Sequence, residues 1–265
     1  MRYPPTSTAL STRLSPVATH PVSDTPLGSP SASRALWPSA VILDLFGTLV
    51  VAPSTSERNT ATTRFASVMC VSPAVAESAL TGSWSARHDG QLRSTAEVAA
   101  HLVARCDAPV SNVTALELLL KELARDRLRA DAPLLQILEE LRLRGLRLAV
   151  VSDASPDIAE AWSLCDLASY FDATVFSCQL GAVKPAPQLF GTALESLGIA
   201  PEKALYVGDG GGDELAGAER AGMRAVRVDR RGGPHGLAFG ETSWTGSSIA
   251  RVEALPSLLS MWRER

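Results

Sequence analysis

Two hydrophobic patterns alternate along the chain, and the switch between them organises it. Short runs dominated by Val, Leu, Ile and Ala, at Ala40–Leu45, Leu146–Val151, Ala173–Phe176, Ala204–Val207 and Ala225–Val228, predict strands. Between the later runs apolar residues recur at helical spacing, predicting helices Leu134–Arg144, Pro156–Leu164, Pro187–Leu197 and Glu214–Ala221, three of them stopped by Gly145, Gly198 and Gly222. Short apolar strands separated by helices imply a parallel sheet covered on both faces, an α/β fold. From about Ser54 to Ala130 the pattern is helical throughout, with Glu57–Val68, Pro73–Ser83, Thr95–Ala104 and Val113–Ala130 as the expected helices, several opened by a Ser or Thr cap. This run is an insertion with no strand of its own.

Residues 1–36 are rich in Pro, Ser and Thr without periodic hydrophobicity and read as a flexible tail. The expected organisation is that tail, a core made of 37–53 and 131–265, and a helical insertion at 54–130. Past Arg230 the stretch RGGPHGLAFGETSWTGSS reads as irregular loop, with a last strand or helix expected near Ala250–Met261. No internal repeat is present.

Composition narrows the partners. The 265 residues are 46% hydrophobic and 20% charged with a net charge of −3, ordinary for a globular protein and no footprint for nucleic acid or a membrane surface. Cys70, Cys106, Cys165 and Cys178 are widely spaced and form no metal-binding motif, so free thiols in a reducing cytoplasm are expected. No segment has the apolar core of a signal peptide or the length of a membrane span. The oligomeric state is not legible.

The candidate chemistry lies where strands end. Asp44 follows VIL, Ser152 and Asp153 follow LAVV, Asp209 follows ALYVG, and Lys184 lies beyond Phe176 in GAVKPAP. In a doubly wound sheet, strand carboxyl ends converge on the ligand cleft. Carboxylates gathered there repel one another unless a cation separates them, and oxygen-only ligands favour a hard ion such as Mg²⁺. A lysine to balance charge and a serine to donate to a phosphate oxygen complete a set suited to phosphoryl chemistry with a carboxylate nucleophile.

With those residues in order, the chain resembles the haloacid dehalogenase-like (HAD) superfamily hydrolases. DLFGTL matches the first motif, VVSDAS the second, VKPAPQLF the third and VGDGGGDELAGAERAGM the fourth, covering about 40 to 230. The resemblance implies a Rossmann-like core with a helical cap of the first type that closes over the cleft and selects the substrate. It also implies Asp44 as nucleophile, Thr48, Ser152 and Lys184 as catalytic partners, and Ser152, Asp153 and Lys184 at the substrate. The implied Mg²⁺ site is Asp44, the Phe46 carbonyl, Asp209 and Asp213. A small phosphorylated metabolite is the implied substrate.

Several of these residues have plainer readings. Asp209 before a glycine triplet suits an Asx-turn, Asp213 a helix N-terminus, and Ser155 is the better cap for the helix at Pro156. Asp153 fits a polar turn. In the insertion, Trp84, Arg87, His88 and Asp89 form a polar-aromatic cluster, of which Trp84 is expected to pack inside the cap; His235 reads as solvent-exposed.

Phe46 is the departure. Phosphatases of the family usually carry a second Asp two residues after the nucleophile, which protonates the leaving alcohol and activates water. Phe46 cannot, and general acid-base catalysis contributes on the order of 10²–10⁴ in rate. Dehalogenases and phosphonatases of the superfamily also lack that Asp, so both reactions stay open, as does a metal-binding protein with little catalysis. Against dehalogenation, Asp209 and Asp213 keep a metal-type motif; against a phosphonatase, the sole cap lysine, Lys121, reads as a surface residue.

Overall fold

The computed structural model describes residues 37–229 and 244–263. The expected tail at 1–36, most of the Gly-rich stretch and His235 lie outside the described residues.

Among the described residues, six strands, β1 (Ala40–Leu43), β2 (Arg147–Ser152), β3 (Ala173–Phe176), β4 (Ala204–Gly208), β5 (Arg224–Val228) and β6 (Ser248–Ile249), form one parallel sheet of order β3-β2-β1-β4-β5-β6. The five expected strands are present within two residues at either end. The pleat divides their side chains between two clusters. Val41, Leu43, Leu148, Val150, Leu205 and Val207 face one, while Ala40, Ile42, Ala149, Val151, Ala204 and Tyr206 face the other. Both faces are covered, which is why these strands read as continuous apolar runs and not as alternation.

Five helices, α1 (Thr55–Met69), α2 (Pro73–Gly82), α3 (Trp84–His88), α4 (Thr95–Arg105) and α5 (Val113–Arg127), fill the insertion. Ser54, Ser72 and Ser94 cap α1, α2 and α4 by accepting the N3 amide, and Glu57 closes a capping box at Ser54. Their apolar faces meet in a third cluster that includes Phe65, Met69, Val98, Leu102, Leu116 and Leu120. Ala124 and Leu128, at the end of α5, pack instead with the first sheet cluster, so the last insertion helix reaches into the core. Within the insertion, the short α3 is the one helix the pattern did not anticipate.

The remaining helices are α6 (Ala132–Leu143), α7 (Pro156–Trp162), α8 (Ser177–Leu180), α9 (Pro187–Leu197), α10 (Glu214–Arg220) and α11 (Leu255–Arg263). Helices α9 and α10 pack on the Tyr206 face, α6 and α11 on the opposite one. The carboxyl-terminal region holds both a strand, β6, and a helix, α11. No single helix among the described residues is long and apolar enough to cross a membrane.

The strand order reverses between β1 and β4, and at such a switch point the flanking loops part to leave a crevice. Leu43 pairs with Val150 on one side and Val207 on the other, and the Asp44 amide donates to the Val207 carbonyl at 2.9 Å. Asp44 therefore sits at the floor of that crevice, next to the end of β4.

Candidate active site

Three sequence-distant segments meet at the switch point. The Lys184 ammonium lies 2.5 Å from Asp44 Oδ1 and 2.5 Å from Glu214 Oε2, and all three residues are buried. Carboxylate oxygens of Asp44, Asp209 and Glu214 lie within 4.8 Å of one another. Each carboxylate comes from a different structural cause. Asp44 is the first residue past β1, Asp209 the first past β4, and Glu214 the first of α10, on the sheet face where Asp44 follows Ile42 in the pleat.

Of the two fourth-motif acids expected at the metal, Asp209 is in this cluster, whereas Asp213 is not and its neighbour Glu214 is. Asp209 and Asp213 share a face only if the chain between them is helical. Gly210 (φ 102°), Gly212 (φ 62°) and Asp213 itself (φ 54°) are left-handed, so the i+4 spacing carries no helical register. Glu214 begins the helix and turns inward. Asp213, half-buried just before the helix, has its Oδ1 buried and without a hydrogen-bond partner among the described residues.

The other predicted residues fall as follows. Asp209 Oδ1 accepts the Gly211 amide at 2.9 Å, so the Asx-turn is real and coexists with membership of the carboxylate cluster. Ser152 ends β2 and Thr48 lies four residues beyond Asp44; both are buried. Asp153 accepts the Lys184 backbone amide at 2.9 Å, which makes it a brace for the lysine loop. Phe46 packs its ring against the first sheet cluster, opposite the face that carries Tyr206. Ser155 occupies the cap position of α7, but its hydroxyl donates to Asp157 Oδ1 at 2.5 Å.

Electrostatics mark this cluster as uncompensated. Burial pushes the Asp44 carboxyl well above the usual carboxylate range; Glu214 pushes it further, and Lys184 pulls it back. Asp209 is raised for the same two reasons, burial and then Glu214. Burial works against the charge on Lys184, yet Asp44 and Glu214 outweigh it and hold the ammonium well above its ordinary pKa. One lysine thus contacts two of three crowded carboxylates, a crowding that a proton or a further cation would relieve.

The cap approaches this site through the loop after α3. A Cβ at Gly90 would press on the Gly181 and Cys178 backbone, just ahead of Lys184. Trp84 stacks on His88 with ring centroids 4.5 Å apart, and His88 Nδ1 lies 2.7 Å from the Trp84 carbonyl, which fixes the Nδ1–H tautomer. Burial pushes His88 down to about 4, leaving it neutral. Arg87 donates to Ser83 Oγ and the Leu80 carbonyl, and Asp89 accepts from Ser85 and Gln91. The polar-aromatic cluster is accordingly built into the cap's own architecture. On the core side, Glu160 of α7 accepts both the amide and the hydroxyl of Thr95, at 2.8 and 2.7 Å, at the start of α4. Lys121 pairs with Glu117 one turn away on α5, as a surface lysine does.

The haloacid dehalogenase-like hydrolase family profile matches residues 38–222. A phosphoserine phosphatase of Thermus thermophilus is 44% identical over 94 residues, 35% of this chain and 38% of that protein. A phosphoglycolate phosphatase of Aquifex aeolicus is 41% identical over 90 residues, 34% and 42%. The chain spans about two fifths of the length of these curated relatives. Among solved structures, a 2-haloacid dehalogenase from Pseudomonas syringae superposes with a TM-score of 0.62 at 22% identity, covering 85% of this chain and 99% of that one. An HAD phosphatase from Thermococcus onnurineus gives 0.59 at 23% identity, covering 83% and 97%.

Proposed function

The chain belongs to the haloacid dehalogenase-like hydrolase family, and on that premise we propose that it is a Mg²⁺-dependent phosphatase of a small phosphorylated metabolite with Asp44 as nucleophile. The observation that carries this reading is the buried Lys184 ammonium on Asp44, at the edge of a carboxylate cluster that one lysine does not neutralise. The donor set fits Mg²⁺: Asp44 and Asp209 offer hard carboxylate oxygens, the Phe46 carbonyl would add another, and Asp213 Oδ1 is a buried oxygen with no partner among the described residues. When bound, Mg²⁺ neutralises the clustered carboxylates and the phosphoryl oxygens.

Asp44 attacks phosphorus in line, and the bond to the leaving oxygen breaks with its electron pair passing to that oxygen. Lys184 orients Asp44 and, with the hydroxyls of Ser152 and Thr48, faces the charge on the transferring group. Water then cleaves the aspartyl-phosphate and restores Asp44. Phe46 supplies no proton to the leaving group, so good leaving groups turn over best. The four free thiols suit a reducing compartment such as the cytoplasm.

A panel of aryl, acyl and alkyl phosphates assayed with Mg²⁺ and with EDTA tests the reading. Aryl and acyl phosphates are expected to turn over, alkyl phosphates about 10²-fold more slowly for want of an acid. EDTA is expected to abolish all three. Turnover that survives EDTA would sink the proposal.

Phe46 also favours a second reading, since a halide leaves without being protonated: dehalogenation of a 2-haloacid by the same Asp44. Halide release without added metal would support it, and Asp209 beside Asp44 counts against it.

Gly47 gives a separate handle on the metal site. It sits at φ 88°, and a Cβ there would overlap the Asp209 carboxylate. Gly47→Ala is expected to displace Asp209 and weaken Mn²⁺ binding about 10-fold or more in calorimetric titration. The left-handed backbone adds a stability loss of about 1–2 kcal/mol, read from thermal unfolding.

A further inference from the structure

Glu214 is fully buried, and three donors engage both of its carboxylate oxygens. Its Oε2 accepts the Lys184 ammonium at 2.5 Å and the Tyr206 hydroxyl at 2.7 Å, and its Oε1 accepts the Gly210 amide at 2.9 Å. Tyr206 is itself fully buried on β4, its ring edge-on to Phe190 with centroids 5.4 Å apart, so its hydroxyl has one direction in which to point. The backbone is cut to fit this carboxylate. A Cβ at Gly208 would overlap Glu214 and touch the Tyr206 ring. A side chain held by three donors, in a space that a neighbouring glycine leaves open, is a fixed part of the scaffold.

We propose that Tyr206 and Glu214 form a positioning unit for Lys184, holding its ammonium on Asp44, and that Glu214 serves the lysine and not the divalent ion. This deepens the reading of Asp44 as nucleophile and rests on it. Two oxygens engaged by three donors leave Glu214 poorly placed to take a metal as well, whereas Asp209 keeps one carboxylate oxygen outside its Asx-turn bond. Tyr206 lies in the middle of a strand and touches neither substrate nor metal in this scheme. It acts through Glu214, and Glu214 acts through Lys184.

The test uses the full chain as wild type, Tyr206→Phe, Glu214→Gln and Asp209→Asn, each checked for folding by circular dichroism. Lys184, Lys121 and Lys203 are the three lysines of the sequence, so acetylation followed by mass spectrometry reports Lys184 against two internal references. Loss of the positioning unit is expected to speed Lys184 acetylation relative to Lys203 by about 10-fold in Tyr206→Phe and more in Glu214→Gln, the size usual for removing an orienting partner. On an aryl phosphate, kcat is expected to fall about 10-fold with KM nearly unchanged. Mn²⁺ affinity is expected to hold within about 2-fold in both variants and to drop about 10-fold or more in Asp209→Asn. Wild-type labelling of Lys184 in a folded Tyr206→Phe protein would overturn the proposal. So would a loss of Mn²⁺ binding in Glu214→Gln equal to that in Asp209→Asn. If Glu214→Gln does not fold, Tyr206→Phe still decides, since it removes a single hydroxyl. If no phosphate ester is turned over, the phosphatase reading fails while the labelling continues to decide the role of Tyr206 and Glu214.

Discussion

An Asp44→Asn protein is expected to lose turnover of its best aryl phosphate by about 10⁴-fold or more while remaining folded, because the amide cannot attack phosphorus. Its thermal behaviour separates this from misfolding. Asp44 has a raised pKa in the fold, through burial first and Glu214 second, so its ionised form opposes folding at neutral pH. For an acid whose folded pKa lies above its unfolded one, stability falls as pH rises from the unfolded value through the folded value. An asparagine removes that penalty and still offers Lys184 an oxygen. In EDTA at pH 7 the variant is therefore expected to melt no lower than wild type, as substitutions that relieve a functional site often do. Full activity in Asp44→Asn would remove the nucleophile from the scheme altogether.

Phe46→Asp is expected to act in the opposite direction. An acid two residues beyond the nucleophile restores a proton donor, and the rate on alkyl phosphates is expected to rise on the order of 10²-fold, toward the range typical of general acid catalysis. Aryl phosphates, whose leaving groups depart unaided, are expected to gain little. The dependence of kcat on leaving-group pKa should flatten, and that slope is the measurement. The change is not free of structural cost, since Phe46 packs against the first sheet cluster, and losing a half-buried ring costs about 1–3 kcal/mol. A folded Phe46→Asp protein with the wild-type slope would mean that the carboxylate does not reach the cleft, and that Phe46 marks a site shaped for another leaving group.

The reach of sequence reasoning is clearest in the fourth motif. Asp209 was legible from its place at the end of a buried strand in the fourth motif, and its Asx-turn coexists with membership of the carboxylate cluster. Glu214 was not legible, because the motif resemblance points to its neighbour Asp213 and local pattern does not say which side chain after the glycine triplet turns toward Lys184. Gly210 and Gly212 are left-handed, so the turn carries no helical register from Asp209 onward. Tyr206 offered no signal, since a tyrosine in an apolar strand looks like packing until its hydroxyl is seen on a buried carboxylate. Asp153, expected beside the substrate, accepts the Lys184 backbone amide, a bond across 31 positions that local pattern does not encode.

What the sequence by itself determined is the parallel sheet, the inserted helices and the strand-end positions of Asp44, Ser152 and Asp209. Those follow from local physics: β-branched and leucine-rich runs bury on two faces, serine caps start helices, and glycines stop them. Only the tertiary structure decided which of the neighbouring acids meets Lys184, where the Phe46 ring goes, and that Arg87 and His88 hydrogen-bond to the cap's own backbone. Those outcomes depend on the direction in which a side chain leaves the backbone after a turn and on what a distant segment places opposite it. Strand and helix periodicity fix such directions inside an element and lose them at its end, where the chemistry of this fold is located.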